Sequence, residues 1–345
     1  MDEPSRDDLQ RVLGAFRREG ARVEPLAGGL IHRTYAVWAH DGEHVLQRVS
    51  PIFDPDVHEN MVAVTDHLRA RGVAAPSLHL SEQGRPWYAD SGLGVWRLMS
   101  RLRGRPISRV ETPSQARELG AVLGRFHQAL ADCAHPFRAL RLAGHDRRRH
   151  ESVLRRALTQ HAEHQLVRDV ARLVTEIGAE LEQLRPLDER RTQLGHGDPK
   201  LANVLFDGEA TALIDLDTVG PVAMALEWGD AWRSWCMSGA EDDSEPEFRL
   251  EVFAQAWEGW RGHAMSPLTA AQLDELLLAP EWIALELSLR FAADALNETY
   301  FGWDASRYAT AGEHNFARAR SQVRSSRSMR RSRHERARIM GVRPS

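Results

Sequence analysis

Apolar and polar positions change period along this chain, and the changes mark its elements. Leu9, Val12, Leu13 and Phe16 recur at helical spacing and predict a short helix over 5–18. Residues 25–37 read as strand, glycine turn, strand, and another strand follows over 44–49. Asp54 as N-cap, Pro55 in the first turn and Gly72 beyond the end bound a helix. Its buried stripe is Val57, Met61, Val64 and Leu68. Strands near 86–89 and 95–99 complete an antiparallel sheet of about five strands. After Gly104 the pattern is helical apart from one hairpin. Thr112, Pro113 and Gln115 form a capping-box signature, with Leu119, Val122, Leu123, Phe126 and Leu130 as the core face. Trp228, Trp232 and Trp235 repeat with helical rhythm and read as core. Helices near 269–278 and 281–297 are expected to wall a cleft. Residues 144–163 read as a solvated helix or loop with exposed histidines, His145, His150, His161 and His164, and 241–247 (EDDSEPE) as a solvated loop. Beyond about 322 the arginine-rich sequence predicts a frayed helix or a disordered tail.

The hairpin carries the chemistry. In LGHGDPKLANVLFDGEATALIDLDTVG (194–220), two apolar runs, 204–206 and 212–214, flank Asp207-Gly208, a pair suited to a tight turn. His196, Asp198, Lys200 and Asn203 precede the first run, and Asp215 and Asp217 end the second. A hairpin brings its outer ends together, and carboxylates so close repel unless a metal, a cation or a proton intervenes. Phosphoryl transfer uses such a set: a carboxylate to orient the attacking hydroxyl, an amide and a second carboxylate for Mg²⁺, a lysine for phosphate charge. The gap of five between Asp198 and Asn203 matches the catalytic loop of protein kinases. Asp207 and Glu209, at the tip, read as solvated.

The preceding sheet adds weaker signals. Gly28 and Gly29 either let backbone N–H groups approach phosphates or merely turn the chain. Strand alternation puts Leu46 and Arg48 on one face, and Arg48 stands where a kinase places its phosphate-gripping strand lysine, unless it is an exposed edge arginine. Glu59 lies nearly opposite the buried stripe of its helix and Asn60 nearer to it, so the partner of Arg48 stays open. Ser100, Arg101 and Leu102 take the position of a hinge whose backbone meets an adenine edge.

Composition narrows the picture. A chain of 345 residues predicts about two lobes. No run approaches the roughly 18 apolar residues of a membrane span, and MDEPSRDDLQ does not read as a signal peptide, so a cytoplasmic protein is expected. Cys133 and Cys236 fit no metal spacing and read as buried thiols. A net charge of −4 gives no general case for nucleic acid. Of 45 basic side chains, the sole lysine is Lys200, inside HGDPKLAN, which suggests that a compact ammonium is needed there.

HGDPKLANVLFD followed by ALIDLD resembles the signature of aminoglycoside phosphotransferases and choline kinases. HVLQRVSPIFDPDVHENMVAVTDHL, IDLDTVGP, WGDAWRS, RFAADALNETYF and HNFARARSQ resemble one branch, the N-acetylhexosamine 1-kinases, over about 24–325. The resemblance implies an α+β, protein-kinase-like fold: an antiparallel β-sheet lobe over 1–102, a larger, mainly helical lobe over 103–325 and a basic tail over 326–345. It implies ATP and Mg²⁺, Asp198 as catalytic base, Lys200 as a γ-phosphate contact, Asn203 and Asp215 as metal ligands, with Asp217 as a second-metal ligand, and Arg48 in place of the strand lysine. HGD where the branch has HND, and Trp228 where it has Phe, are departures near the acceptor. Arg290, Asp294 and Asn297 recur on one helix face with Tyr300 beyond, and Asp230 and Arg233 are expected to meet them around a sugar. Arg290 and Asp294 as a mere intrahelical ion pair is the alternative. The expected partner is a small-molecule acceptor, an N-acetylhexosamine at its anomeric hydroxyl, with neither nucleic acid nor membrane. The rivals are an aminoglycoside or amino-alcohol kinase, which needs a more acidic wall than the mixed charges of 281–320 unless EDDSEPE folds over the cleft, and a nucleotide-binding pseudokinase.

Overall fold

The computed structural model describes residues 3–26, 31–140, 145–188, 192–264 and 266–342. The N-terminal lobe is a five-stranded antiparallel sheet, in spatial order β1-β2-β3-β5-β4. Its strands are β1 (Arg22–Pro25), β2 (Arg33–Ala39), β3 (Gly42–Arg48), β4 (Tyr88–Asp90) and β5 (Gly94–Ser100). Helix α1 (Arg6–Ala15), started by a Ser5/Asp8 capping box, lays Val12 and Leu13 with neighbouring Phe16 on one face of this sheet, against Tyr35, Val37, Leu46, Trp96 and Leu98. Alternation then turns Val45, Gln47, Arg97 and Met99 to the other face, toward the second lobe. Helix α2 (Val57–Ala70) brings Met61, Val64 and Leu68 to the core, as the periodicity predicts. Glu59 is exposed, and Asn60 is buried, holding the Arg138 carbonyl at 2.6 Å and the Arg138 N–H at 3.1 Å.

The second lobe is helical around two small β-pairs. Helices α3 (Pro113–Leu130), α4 (Arg147–Gln160) and α5 (Val167–Leu181) precede β6 (Thr192–Gly195). The hairpin β7 (Val204–Asp207) and β8 (Glu209–Leu213) follows, with Gly208 alone supplying the positive φ, +81°. β9 (Gly220–Ala223) returns beside β6, and α6 (Met224–Trp235), α7 (Leu250–Arg261), α8 (Ala270–Asn297), α9 (Ala311–Arg331) and α10 (Arg333–Met340) complete the lobe. Trp228, Trp232 and Trp235 are fully buried.

Three expectations need correction. The two helices foreseen after 269 are one helix of 28 residues that carries Pro280 inside, fixed by burial over most of its length. The arginine-rich end is ordered helix. Its cations dock on acids: Arg327 Nε donates to Glu180 at 2.6 Å, Arg333 Nε to Glu281 at 3.0 Å, and buried Arg336 Nη2 to Glu281 at 2.7 Å. The EDDSEPE segment is anchored by Asp242, whose buried carboxylate meets Tyr308 Oη at 2.8 Å and Arg307 at 2.7 Å. Both cysteines are free thiols, Cys236 buried and Cys133 only half-buried. No helix among the described residues is long and apolar enough to cross a membrane.

Candidate active site

The loop between β6 and β7 is shaped from below by a carboxylate that sequence reading missed. Glu227, buried at the start of α6, accepts the His196 N–H at 2.7 Å and the Gly197 N–H at 2.8 Å. Burial raises its pKa, but His127, hydrogen-bonded at 3.1 Å, and His196 together outweigh this and lower it below the ordinary value. His196 Nε2 donates to the Ile214 carbonyl at 2.8 Å, and its Nδ1 accepts the Asp198 N–H at 3.3 Å, which fixes a neutral ring. Burial lowers the pKa of this imidazole, in agreement. The Trp235 indole N–H holds the Pro199 carbonyl at 2.9 Å and Ser234 Oγ accepts the Leu201 N–H at 2.9 Å, so the loop is pinned at five backbone atoms.

On this frame the foreseen groups meet. Lys200 Nζ donates to Asp198 Oδ2. Asn203 Nδ2 donates to the Asp198 carbonyl at 2.9 Å and lies 3.2 Å from the same Oδ2. The Asn203 carbonyl accepts the Ile214 N–H at 2.9 Å, one residue before Asp215. Burial works against the charge of Lys200, but Asp198 and then Asp215 raise its pKa above the ordinary range.

Asp215 and Asp217 differ sharply. Asp215 sits in the left-handed region, φ 66°, and burial followed by the charge of Asp217 pushes its carboxyl up to about 7. Asp217 is buried too, yet Arg97 outweighs that penalty and holds its carboxyl well below the usual range. Arg97 Nη1 donates to Asp217 Oδ1 and Nη2 to Oδ2 at 2.6 Å, while Nε donates to Gln47 at 2.8 Å. His32 Nε2 reaches Asp217 Oδ2 at 3.1 Å. Ligand atoms of His32, Asp215 and Asp217 lie within 4.8 Å of one another, close enough to share a metal ion. Asp217 thus lies within reach of a cation, but its charge is already answered by Arg97.

Other expectations fare unevenly. Gly28 and Gly29 lie outside the described residues. Arg48 is on the wrong face: it follows Leu46 to the α1 side, with its guanidinium 6.0 Å from the Trp96 ring. The cleft-facing cation is Arg97, whose signal was a charge set inside an apolar strand. Ser100 has its N–H on the Ser77 carbonyl at 2.8 Å and Arg101 its own on Glu43 at 3.0 Å. The Ser100 N–H, expected at an adenine edge, is therefore committed within the lobe. Asp230 and Arg233 do sit beside the catalytic loop, paired at 2.9 Å, with Arg233 also 3.4 Å from Glu241. Both Asp294 carboxylate oxygens are occupied within the fold. They accept the N–H groups of Thr299 and Tyr300 at 3.0 Å, Phe301 at 2.8 Å and Asn315 Nδ2 at 3.0 Å, closing the turn after α8. Asn297 is taken by His161 at 3.1 Å, and Arg290 lies over the Tyr300 and Phe301 rings at 6.0 and 5.6 Å. The four histidines of 144–163 and its flank are not simply exposed, since His145 and His150 approach buried Glu286 at 3.4 and 3.5 Å and His164 approaches Glu298 at 3.3 Å.

A five-stranded lobe over a helical one, with the Asp198, Asn203 and Asp215 cluster beneath the sheet, is the two-lobed architecture of kinase-like phosphotransferases. Known structures agree. An amicoumacin kinase, hAmiN, in complex with AMP-PNP, Ca²⁺ and Ami superposes with a TM-score of 0.59 at 19% identity, covering 88% of this chain and 87% of that one. A microcompartment-associated aminopropanol kinase gives 0.62 at 17%, covering 95% and 97%. An aminoglycoside phosphotransferase from Alicyclobacillus acidocaldarius gives 0.56 at 17%, covering 97% and 98%. At these identities the likeness is one of fold. The sequence profile of the phosphotransferase enzyme family matches residues 22–265, and the chain belongs to that family. As a member it is an ATP-dependent phosphotransferase acting on a hydroxyl group.

Proposed function

We propose that the protein transfers the γ-phosphate of ATP to a neutral sugar, an N-acetylhexosamine at its anomeric hydroxyl, with Asp198 as the base. The observation that carries the reading is the Asp198 carboxylate itself. It is fixed between Lys200 and Asn203 yet partly open to solvent, beside a second carboxylate, Asp215, that no arginine hydrogen-bonds among the described residues. In this reading Asp198 orients the attacking hydroxyl and takes its proton, and Lys200 meets charge on the transferred phosphate. Asn203 and Asp215 are the residues that would hold Mg²⁺, which when bound neutralises phosphate charge. The donor set fits such an ion: an amide oxygen and a carboxylate that burial and the neighbouring Asp217 charge push up to about 7, where a cation would favour its ionised form.

The charges around Asp230 support a neutral acceptor. Asp230 is paired with Arg233 at 2.9 Å, Glu241 reaches the same guanidinium at 3.4 Å, and Asp242 is matched by Arg307, so the EDDSEPE acids nearest Asp230 are engaged within the fold. The test is turnover of ATP against free hexoses, N-acetylhexosamines, amino alcohols and aminoglycosides, with phosphorus NMR of the product. An anomeric phosphate on N-acetylglucosamine or N-acetylgalactosamine is expected. Phosphorylation of kanamycin-type compounds but of no sugar would overturn the acceptor and spare the kinase chemistry.

A further inference from the structure

Next to the Asp198 loop lies a buried cluster that the chemistry above does not use. Gly229 on α6 packs directly on α8, where a Cβ would stand 2.7 Å from both the Ala279 carbonyl and Ile283. On α8, Ala279, Ile283, Glu286 and Arg290 follow one another at spacings of four, three and four, so Glu286 lies on the face turned to α6, one turn past the contact. Asp230 follows Gly229 on the other side. His145, at the approach to α4, faces both acids. Burial lowers its pKa, but Glu286 outweighs this, with Asp230 adding to it, and the ring is held toward its charged form. Asp230 in turn lies in the field of Lys200, which joins the cluster to the Asp198 loop.

Two carboxylate oxygens here stand open. Glu286 is 1% exposed and Asp230 5% exposed, and neither Glu286 Oε2 nor Asp230 Oδ2 has a hydrogen-bond partner among the described residues. Buried carboxylate oxygens are rarely left so, because each missing bond costs on the order of 1–3 kcal/mol. Their charge, by contrast, is answered. Asp230 pairs with Arg233, and Glu286 faces His145 at 3.4 Å and His150 at 3.5 Å. What these two oxygens lack is a hydrogen-bond donor rather than positive charge; His145 Nδ1, also without a hydrogen-bond partner among the described residues, stands 3.4 Å from Oε1, the other oxygen of Glu286.

We infer that Glu286, with Asp230 and His145, is the acceptor-recognition site, and that its open oxygens take O–H or N–H donors of an uncharged polyol. A polyamine would add cations where the carboxylates are already matched, and the same site disfavours it. The inference rests on the phosphotransfer reading and specifies the acceptor's chemical class rather than its identity.

Glu286→Gln, of nearly the same shape, tests it in the full-length enzyme with N-acetylglucosamine as probe and AMP-PNP·Mg²⁺ affinity as the control for fold and nucleotide site. The expected result is an acceptor KM raised on the order of 10- to 100-fold at unchanged nucleotide affinity, together with a lower thermal midpoint because His145 and His150 lose a buried partner. A purely structural Glu286 would lower the midpoint and leave the acceptor KM alone, and that outcome overturns the inference. Glu286→Asp, which keeps the charge one methylene short, should fall between. If the wild-type enzyme phosphorylates another neutral polyol instead, and Glu286→Gln raises that KM, the N-acetylhexosamine reading fails and this inference stands. An enzyme that turns over only polyamines, or no neutral polyol at all, overturns it.

Discussion

Replacing Arg97 by Met removes the main charged link between the β-sheet lobe and the Asp217 loop. Arg97 is 0% exposed and spends its guanidinium on both Asp217 oxygens and on Gln47, with Met61 Sδ 3.2 Å from Nη1. Without it, Asp217 loses both guanidinium bonds and keeps His32, 3.1 Å away, and Gln47 Oε1 loses its donor while Nε2 keeps Thr34 Oγ1 at 3.1 Å. Removing one partner of a buried pair costs about 3–5 kcal/mol, and an unsatisfied amide adds about 1 kcal/mol, so roughly 4–6 kcal/mol is expected. Met fills similar volume, so little of that comes from a cavity. Adding Asp217→Asn removes the stranded charge, and the double variant should regain at least about 2 kcal/mol. The sign of the pH effect follows. In the wild-type protein the Asp217 pKa is depressed and its contribution is present at neutral pH. In the single variant burial raises it, so the loss should grow as pH rises from about 5 to 8 and shrink as Asp217 takes a proton. Urea unfolding followed by tryptophan fluorescence measures all three. A single variant within about 1 kcal/mol of wild type, or a double variant no better than the single, would refute the reasoning.

Three further outcomes are expected. Asp198→Asn should lower kcat by roughly 10²–10⁴-fold while AMP-PNP·Mg²⁺ still binds, and near-normal turnover would remove Asp198 as base. Asp294→Ala should act on stability, by roughly 2–4 kcal/mol, since three turn N–H groups and Asn315 lose their acceptor. A raised acceptor KM at unchanged stability would return Asp294 to the site. An ion bound by Asp215 must displace the proton that its pKa of about 7 retains, so Mg²⁺-dependent AMP-PNP affinity should fall as pH drops below 7 and level off above it. A flat profile from acid to neutral pH in a binding titration would contradict this.

What could be read from the chain was local. The β7–β8 hairpin, the Asp198-to-Asn203 spacing and the Thr112 capping box are set by neighbours in sequence, and all are found. Alternation correctly put Leu46 and Arg48 on one face, but which face looks into the cleft depends on where α1 packs, and that is not written in the strand. Hence Arg48 was placed in the phosphate site and Arg97 overlooked. The helical wheel put Asp294 on a shared face with Arg290, yet it carries no sign that 299–301 fold back over the helix end. The arginine-rich terminus and EDDSEPE were read as solvated because charge was equated with exposure. Their partners, Glu180 for Arg327 and Arg307 for Asp242, come from distant parts of the chain.

The two acids of ALIDLD show where such reasoning stops. In sequence Asp215 and Asp217 are equivalent, two carboxylates on either side of a leucine. The fold separates them: a three-residue helical turn buries Asp217 under β5, where Arg97 neutralises it and His32 hydrogen-bonds it, and leaves Asp215 in a left-handed conformation facing Lys200. Their pKa values move in opposite directions as a result, and acids driven apart in this way commonly hold different roles. Asp217 becomes the anchor that ties the nucleotide lobe to the loop. Asp215, held in an unusual backbone conformation and pushed up to about 7 by burial and by Asp217, is the acid that the proposed function gives to the metal. The division depends on one buried arginine, so losing Arg97 should disturb both acids, although it touches only one.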